Sequence, residues 1–206
     1  MPSYLPLRCL KYMPSYLPLR CLKSFFFIDV QSHTHMAWKK NPTTKDEECC
    51  LNRFPCAFFA EAEHQNNCGC GVLICMEEKL QFLISWNGGT GSNRMTEARA
   101  LAGVLAFCIF FDVQAISIFG YSRPVIDHIN GACRIRNPHM VGWMDKIMFL
   151  WGLSRDCSIQ LIGHDQNLQA DCLSMDGMLL ESRSWSMEVK VEENSCFVQD
   201  FFIPGY

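Results

Sequence analysis

The chain has no apolar run long enough to cross a bilayer. Its longest, residues 100–111, ends at Asp112, and a spanning helix needs about 20 such residues. It has no apolar stretch of the kind that forms the centre of a signal peptide. It has no Cys-x-x-Cys pair, which weighs against a zinc frame, although Cys49, Cys50, Cys56, Cys68 and Cys70 crowd one region. No Gly-Lys-Ser/Thr follows the Asn87-Gly88-Gly89-Thr90-Gly91 loop, so that loop is not a phosphate cradle. There is no excess of either charge: the net value is −3. The chain as a whole therefore does not attract nucleic acid or anionic membrane. Any nucleic-acid contact has to come from a local basic patch.

What is present bounds the rest. The 206 residues, 49% of them hydrophobic, suffice for one ordinary domain with flanking segments. The 13 cysteines are odd in number and read as reduced thiols in an intracellular protein, of nucleus or cytoplasm.

Residues 1–11 return unchanged at 13–23, so segment 1–24 is a duplicated twelve-residue unit. Two copies are too few for a solenoid, and two prolines in each oppose a long helix. A recent duplication, or a start-site error in the gene model, accounts for it. Residues 25–55 read as a poorly structured linker, with a Phe25-Phe26-Phe27-Ile28 cluster and a polar stretch at 39–48.

From Cys56 the pattern sharpens. Residues 56–63, 70–76 and 80–86 read as strands joined by short turns, an antiparallel meander. Ser92 or Asn93 opens a helix whose apolar stripe is Leu101, Val104, Leu105 and Cys108. Residues 115–120 are a fourth strand. Pro124 starts a short helix that Gly131 stops. A helix over 141–153 presents Met144, Ile147, Met148 and Trp151 on one face, and 158–162 are a fifth strand. Asn167 opens a last helix, with Leu168, Cys172, Met175 and Leu179 at core spacing. Residues 181–206 are left as a C-terminal tail, with an alternating piece at Met187, Val189 and Val191. An apolar cluster at Phe197, Phe201, Phe202 and Ile203 is expected to fold back on the domain. The order of elements predicts a mixed α/β domain over 56–180. It has a five-stranded sheet, a three-strand antiparallel meander plus two parallel strands, flanked by helices.

One charge in the opening helix stands out. Glu97 lies four residues before Leu101, at the end of the core-facing stripe, where an unpaired charge is costly. By spacing alone it is either a first-turn acid favoured by the helix dipole or a metal-binding carboxylate. Asp171 stands similarly near the start of the last helix.

Five blocks in order resemble the ribonuclease H-like family, in particular the domains of plant non-LTR retroelements. They are Phe58-Phe59-Ala60-Glu61-Ala62 before Cys68-Gly69-Cys70-Gly71-Val72; Ser92-Asn93-Arg94-Met95-Thr96-Glu97; Gly120-Tyr121-Ser122; Ile129-Asn130-Gly131; and Asn167-Leu168-Gln169-Ala170-Asp171-Cys172-Leu173-Ser174. The resemblance implies a ribonuclease H-like fold and cleavage of the RNA strand of an RNA/DNA hybrid. It also implies four carboxylates holding two magnesium ions, which need hard oxygen ligands from several elements. Mapped here, the four positions fall at Ala60, Glu97, Tyr121 and Asp171. Alanine offers no ligand, and a phenol with an ordinary pKa of about 10 is a poor one. The expectation is therefore a catalytically impaired domain, a pseudoenzyme that retains Glu97 and Asp171 for at most one weakly held magnesium ion. By alternation Glu61 faces away from position 60, and one alternative is a rearranged, active nuclease using Glu61 or Glu63. The family's histidine before the last helix falls at Leu161, with His164 close by. The implied partner is an RNA/DNA hybrid or double-stranded nucleic acid, contacted by Asn93, Arg94, Ser122, Arg123, Arg134 and Arg136. A second alternative is a non-enzymatic interaction protein or a retroelement relic.

Overall fold

The computed structural model describes residues 54–182, 184–191 and 195–202. The duplicated segment, most of the linker with Cys49 and Cys50, and Ile203 lie outside these residues.

The largely apolar stretch from Cys56 forms β1 (Cys56–His64) and β2 (Asn67–Glu77), the latter buried almost throughout. The two residues between them, Gln65 and Asn66, have φ of 51° and 65°. Positive φ at both centres of a two-residue loop matches the right-handed twist of a hairpin. This turn is tighter than the sequence suggests, so β2 starts three residues earlier than expected. β3 (Leu80–Gly89) completes the antiparallel meander. Then come α1 (Asn93–Phe110), β4 (Ala115–Gly120), α2 (Arg123–Ile129), α3 (Pro138–Leu153), β5 (Asp156–Leu161) and α4 (Leu168–Leu179). Gly131, at φ 75°, ends α2 in a conformation that costs glycine little. β4 pairs in parallel with β1, and β5 with β4.

The mixed five-stranded arrangement is present, and the sheet extends beyond it. β6 (Ser184–Val191) pairs antiparallel with β3, and β7 (Ser195–Phe202) with β6. The order is β5-β4-β1-β2-β3-β6-β7. Part of the expected tail thus continues the sheet: Trp185, Met187 and Val189 are buried in the main core. Pairing with β3 covers what would otherwise be an open sheet edge.

α1 lies on β1 and β2, and α3 lies on α1. Because α3 covers its outer side, α1 is buried almost continuously from Thr96 to Cys108, with Leu101, Val104 and Leu105 fully enclosed. In α3 the buried face is Met140, Trp143, Met144, Ile147 and Leu150. The expected Met148 is exposed, because the face that meets α1 turns on Leu150 rather than Met148.

The other face of the sheet carries α4, packed on β1, β2 and β3. Here the expected apolar stripe is reversed. Leu168, Met175 and Leu179 are exposed, Leu179 at 85%, and Cys172 is exposed as well. The buried positions are Ala170, Asp171, Ser174 and Gly177. A Cβ added at Gly71 of β2 would sit 2.2 Å from the Ala170 carbonyl oxygen and 2.3 Å from the Ser174 nitrogen. The α4 backbone therefore lies directly against β2. Only small side chains fit the contact, and the large ones are turned outward.

Candidate active site

The site forms where the ends of β1 and β4 meet the N-terminal ends of α1 and α4. Glu97 is buried at 8% exposure. Its Oε2 accepts a short hydrogen bond from the Ser122 hydroxyl, at the start of α2. Burial raises the Glu97 pKa, opposed by this hydrogen bond and by the charge of Arg94. Asp171, in the first turn of α4, is also buried. Its pKa too is raised by burial, opposed by His164 and by the Tyr121 hydroxyl. His164 Nε2 lies 3.1 Å from Asp171 Oδ2. That approach suits an ion pair when the imidazole is protonated; neither it nor the nearby Tyr121 hydroxyl, which is directed to the Glu61 carbonyl, is aligned as a full hydrogen bond to Asp171. Asn167 fixes the helix that carries Asp171: its Nδ2 donates to the Phe59 carbonyl at 3.0 Å.

Tyr121 follows β4 directly. Its hydroxyl donates to the Glu61 carbonyl at 3.3 Å, and its ring centroid is 5.5 Å from that of His164. Burial, then the charges of Asp171, Glu61 and Glu97, hold the phenol above its ordinary pKa. It stays neutral at any physiological pH.

Ala60 and Glu61 exchange the roles expected of them. Ala60 is opposite Gly71, on the face where α4 docks. Glu61 is opposite Cys70, whose thiol donates to the Thr96 carbonyl of α1. Cross-strand neighbours share a face, so Glu61 is directed toward α1. There the Asn93 side chain bonds it, while burial and the charges of Glu97, Glu63 and Asp171 push its pKa up to about 7. Its Oε2 is buried without a partner. The alternation expected between positions 60 and 61 holds. What changes is which of the two faces the site. The pairing of Ala60 and Ala62 with Gly71 and Gly69 is the signal that marks the opposite face: a row of small residues accepts a helix backbone. Glu63 is exposed and acts on Glu61 only through its charge; its Oε1 accepts from the Asn66 nitrogen and braces the hairpin turn.

Among the proposed nucleic-acid contacts, Asn93, Arg94, Arg123, Arg134 and Arg136 are exposed. Asn93 and Arg94 sit at the edge of the acidic cluster, Arg123 opens α2, and Arg134 and Arg136 lie in the loop between α2 and α3. Ser122 does not belong with them. It is 4% exposed and its hydroxyl is committed to Glu97, so it cannot reach a phosphate.

The donor chemistry of Glu61, Glu97 and Asp171 suits a hard divalent cation, and orphaned buried carboxylate oxygens are what such an ion would satisfy. The donor types suit the ion, but the geometry does not gather them: among the described residues, no three His, Cys, Asp or Glu side chains form a group placed to hold a metal. Among the same residues, no helix is long and apolar enough to cross a membrane.

Five of the seven strands, β5-β4-β1-β2-β3, form a mixed arrangement with helices on both faces, which is a ribonuclease H-like fold. The chain belongs to the reverse transcriptase-like family, whose sequence profile matches residues 59–177. No curated protein matches it. Several solved structures share the fold. Ribonuclease H1 from the archaeon Halobacterium salinarum is 21% identical, with a TM-score of 0.55 over 61% of this chain and 98% of that one. LC11 ribonuclease H1, solved with an RNA/DNA hybrid, is 18% identical, with a TM-score of 0.53 over 60% and 95%. The foamy viral protease-reverse transcriptase, also solved with a hybrid, is 17% identical, with a TM-score of 0.52 over 69% of this chain and 22% of that one.

Proposed function

We propose that the domain binds RNA/DNA hybrids or related double-stranded nucleic acid through its exposed basic residues, and that hydrolysis at its acidic site is severely weakened. The observation that carries this reading is the convergence of Glu61, Glu97 and Asp171 around a neutral Tyr121. Burial raises the pKa of all three acids, and the charges of Glu97 and Asp171 add to the rise at Glu61, so protein groups alone compensate them poorly. The unpartnered oxygens of Glu61 and Asp171 leave room for a magnesium ion that is at most weakly held, since among the described residues no three acids are gathered around one point. Magnesium, when bound, would polarise a phosphate and lower the pKa of a water. Tyr121 supplies no negative charge where a fourth carboxylate would stand, and this leaves hydrolysis without a second clamp. The His164 imidazole stands beside Asp171, Nε2 3.1 Å from Oδ2. Arg94, Arg123, Arg134 and Arg136 supply phosphate contacts, which position a duplex by shape and charge. A plant retroelement origin accords with the sequence blocks.

A second reading is favoured by one specific observation, the placement of Glu61 against Glu97. In that reading three carboxylates suffice, and the protein is a slow but working hybrid nuclease.

The test measures hybrid binding and hybrid cleavage on one purified sample with magnesium. The first reading expects binding that weakens as salt rises, cleavage near background, and a gain of at least tenfold in Tyr121→Asp. Binding that is indifferent to salt would overturn it. Robust wild-type cleavage that Glu61→Gln abolishes would establish the second reading instead.

A further inference from the structure

We propose that Cys56 and Cys75 form a reversible, peroxide-oxidisable dithiol on the β1–β2 hairpin. The site lies away from the acidic cluster and serves no step of the reading above. Cys56 opens β1 and is directly opposite Cys75 in the antiparallel register. Opposed residues in such a ladder have Cα atoms about 4.5–5.5 Å apart, inside the range of about 4.4–6.8 Å that a disulfide spans. The two side chains share a face, in the smaller apolar cluster with Leu73, Leu83 and Phe119. Both are free thiols. Bridging them therefore needs a rotation of side chains, not a movement of strands.

Both thiols are shielded from bulk solvent, at 1% and 5% exposure. They share one opening, a cavity of about 270 Å³ that they line with Phe54, Phe58 and Asn167. It admits a molecule the size of hydrogen peroxide and excludes a folded partner. The two facing thiols interact, which lowers the Cys75 pKa and raises that of Cys56. In the proposed pair Cys75 is the nucleophile and Cys56 the resolving thiol.

The chemistry balances with peroxide as the oxidant. The Cys75 thiolate attacks one peroxide oxygen, the O–O bond breaks, and the departing hydroxide takes a proton to become water, leaving a sulfenic acid. The Cys56 sulfur then attacks the Cys75 sulfur. The S–O bond breaks, a second water leaves with the Cys56 proton, and the S–S bond forms. Two electrons pass from the two thiols to one peroxide.

The experiment treats the full chain with hydrogen peroxide, alkylates the remaining thiols, digests without reduction and maps the peptides by mass. The expected result is a linked peptide joining Cys56 to Cys75, two hydrogens lighter than the sum of its parts. Alkylation at both positions should fall together and return after dithiothreitol. If both cysteines remain fully alkylated at peroxide levels that oxidise the exposed Cys133 and Cys172, the proposal is overturned. It is equally overturned if either one is recovered linked to a different cysteine. Cys56→Ser adds a second arm: Cys75 should then stop at the sulfenic acid, trapped by a dimedone-type probe. Absence of that adduct in a variant that still folds would also count against the pair.

Discussion

The Ser122 hydroxyl donates a hydrogen bond to the buried Glu97 carboxylate, linking the start of α2 to the second turn of α1. Ser122 is thereby a structural partner of the acid rather than a nucleic-acid contact. Removing the donor leaves a buried carboxylate oxygen with nothing in exchange. Ser122→Ala is expected to destabilise the fold by about 1–3 kcal/mol in urea denaturation at neutral pH. The loss should shrink at acid pH, where Glu97 is protonated. An equal loss at both pH values would remove the charge from the explanation.

Glu61 gives the site a pH signature. Its pKa is raised from 4.5 to about 7 by burial and by Glu97, Glu63 and Asp171, with Asn93 opposing. The folded state therefore binds the proton more tightly than the unfolded chain. Over that window stability falls as pH rises, and the penalty is complete above the folded-state pKa. Glu61→Gln should relieve it. With a chelator present, the stability of the variant relative to wild type is expected to increase from pH 4.5 to pH 7.5, followed by thermal denaturation. A relative stability that is flat across this range would show that Glu61 is not held by its acidic neighbours.

Gly71 tests the backbone contact that fixes Asp171. An added methyl meets the α4 backbone at 2.2 and 2.3 Å, and backbone cannot move aside as a side-chain end can. Gly71→Ala is expected to cost about 1–3 kcal/mol or more. It should also displace α4, so that magnesium affinity, measured by calorimetry, falls along with stability. Gly142→Ala, where no atom lies within 4 Å of the added methyl, is the control and should leave magnesium binding unchanged.

Arg134 and Arg136 are exposed on the loop between α2 and α3. If each neutralises one phosphate, replacing both with alanine reduces the slope of log affinity against log salt by about 0.9 per contact. The expected result in a fluorescence-anisotropy titration is a hybrid affinity weakened at low salt that converges with wild type at high salt. An unchanged slope would relocate the interface to Arg94 and Arg123.

Glu97 and Asp171 could be singled out in the sequence because each breaks a helical pattern near a helix N-terminus. The position of Glu61 could not. A strand alternates, so its residues divide readily into two faces, but which face meets α1 depends on what packs on the other side. The decisive contact is that of α4 with Gly69 and Gly71, residues about a hundred positions away in the chain. The α4 stripe went the same way: Leu168, Met175 and Leu179 have ideal core spacing, yet the close backbone approach admits only Ala170, Ser174 and Gly177. His164 gave no periodic signal at all, since it lies in a short 3-10 turn and gains its role only by standing beside Asp171.

The order of strands and helices, the antiparallel meander, the helix boundaries at Pro124 and Gly131, and the acids on α1 and α4 were determined by the sequence itself. Each rests on local periodicity, proline and glycine geometry, or a charge out of place in an apolar pattern. Tertiary structure alone decided that β6 and β7 extend the sheet, that Ser122 serves Glu97, and that Glu61 rather than Ala60 faces the site. Those outcomes depend on which surfaces meet, and on how closely backbones approach. Such contacts join residues far apart in the chain, and no local pattern encodes them.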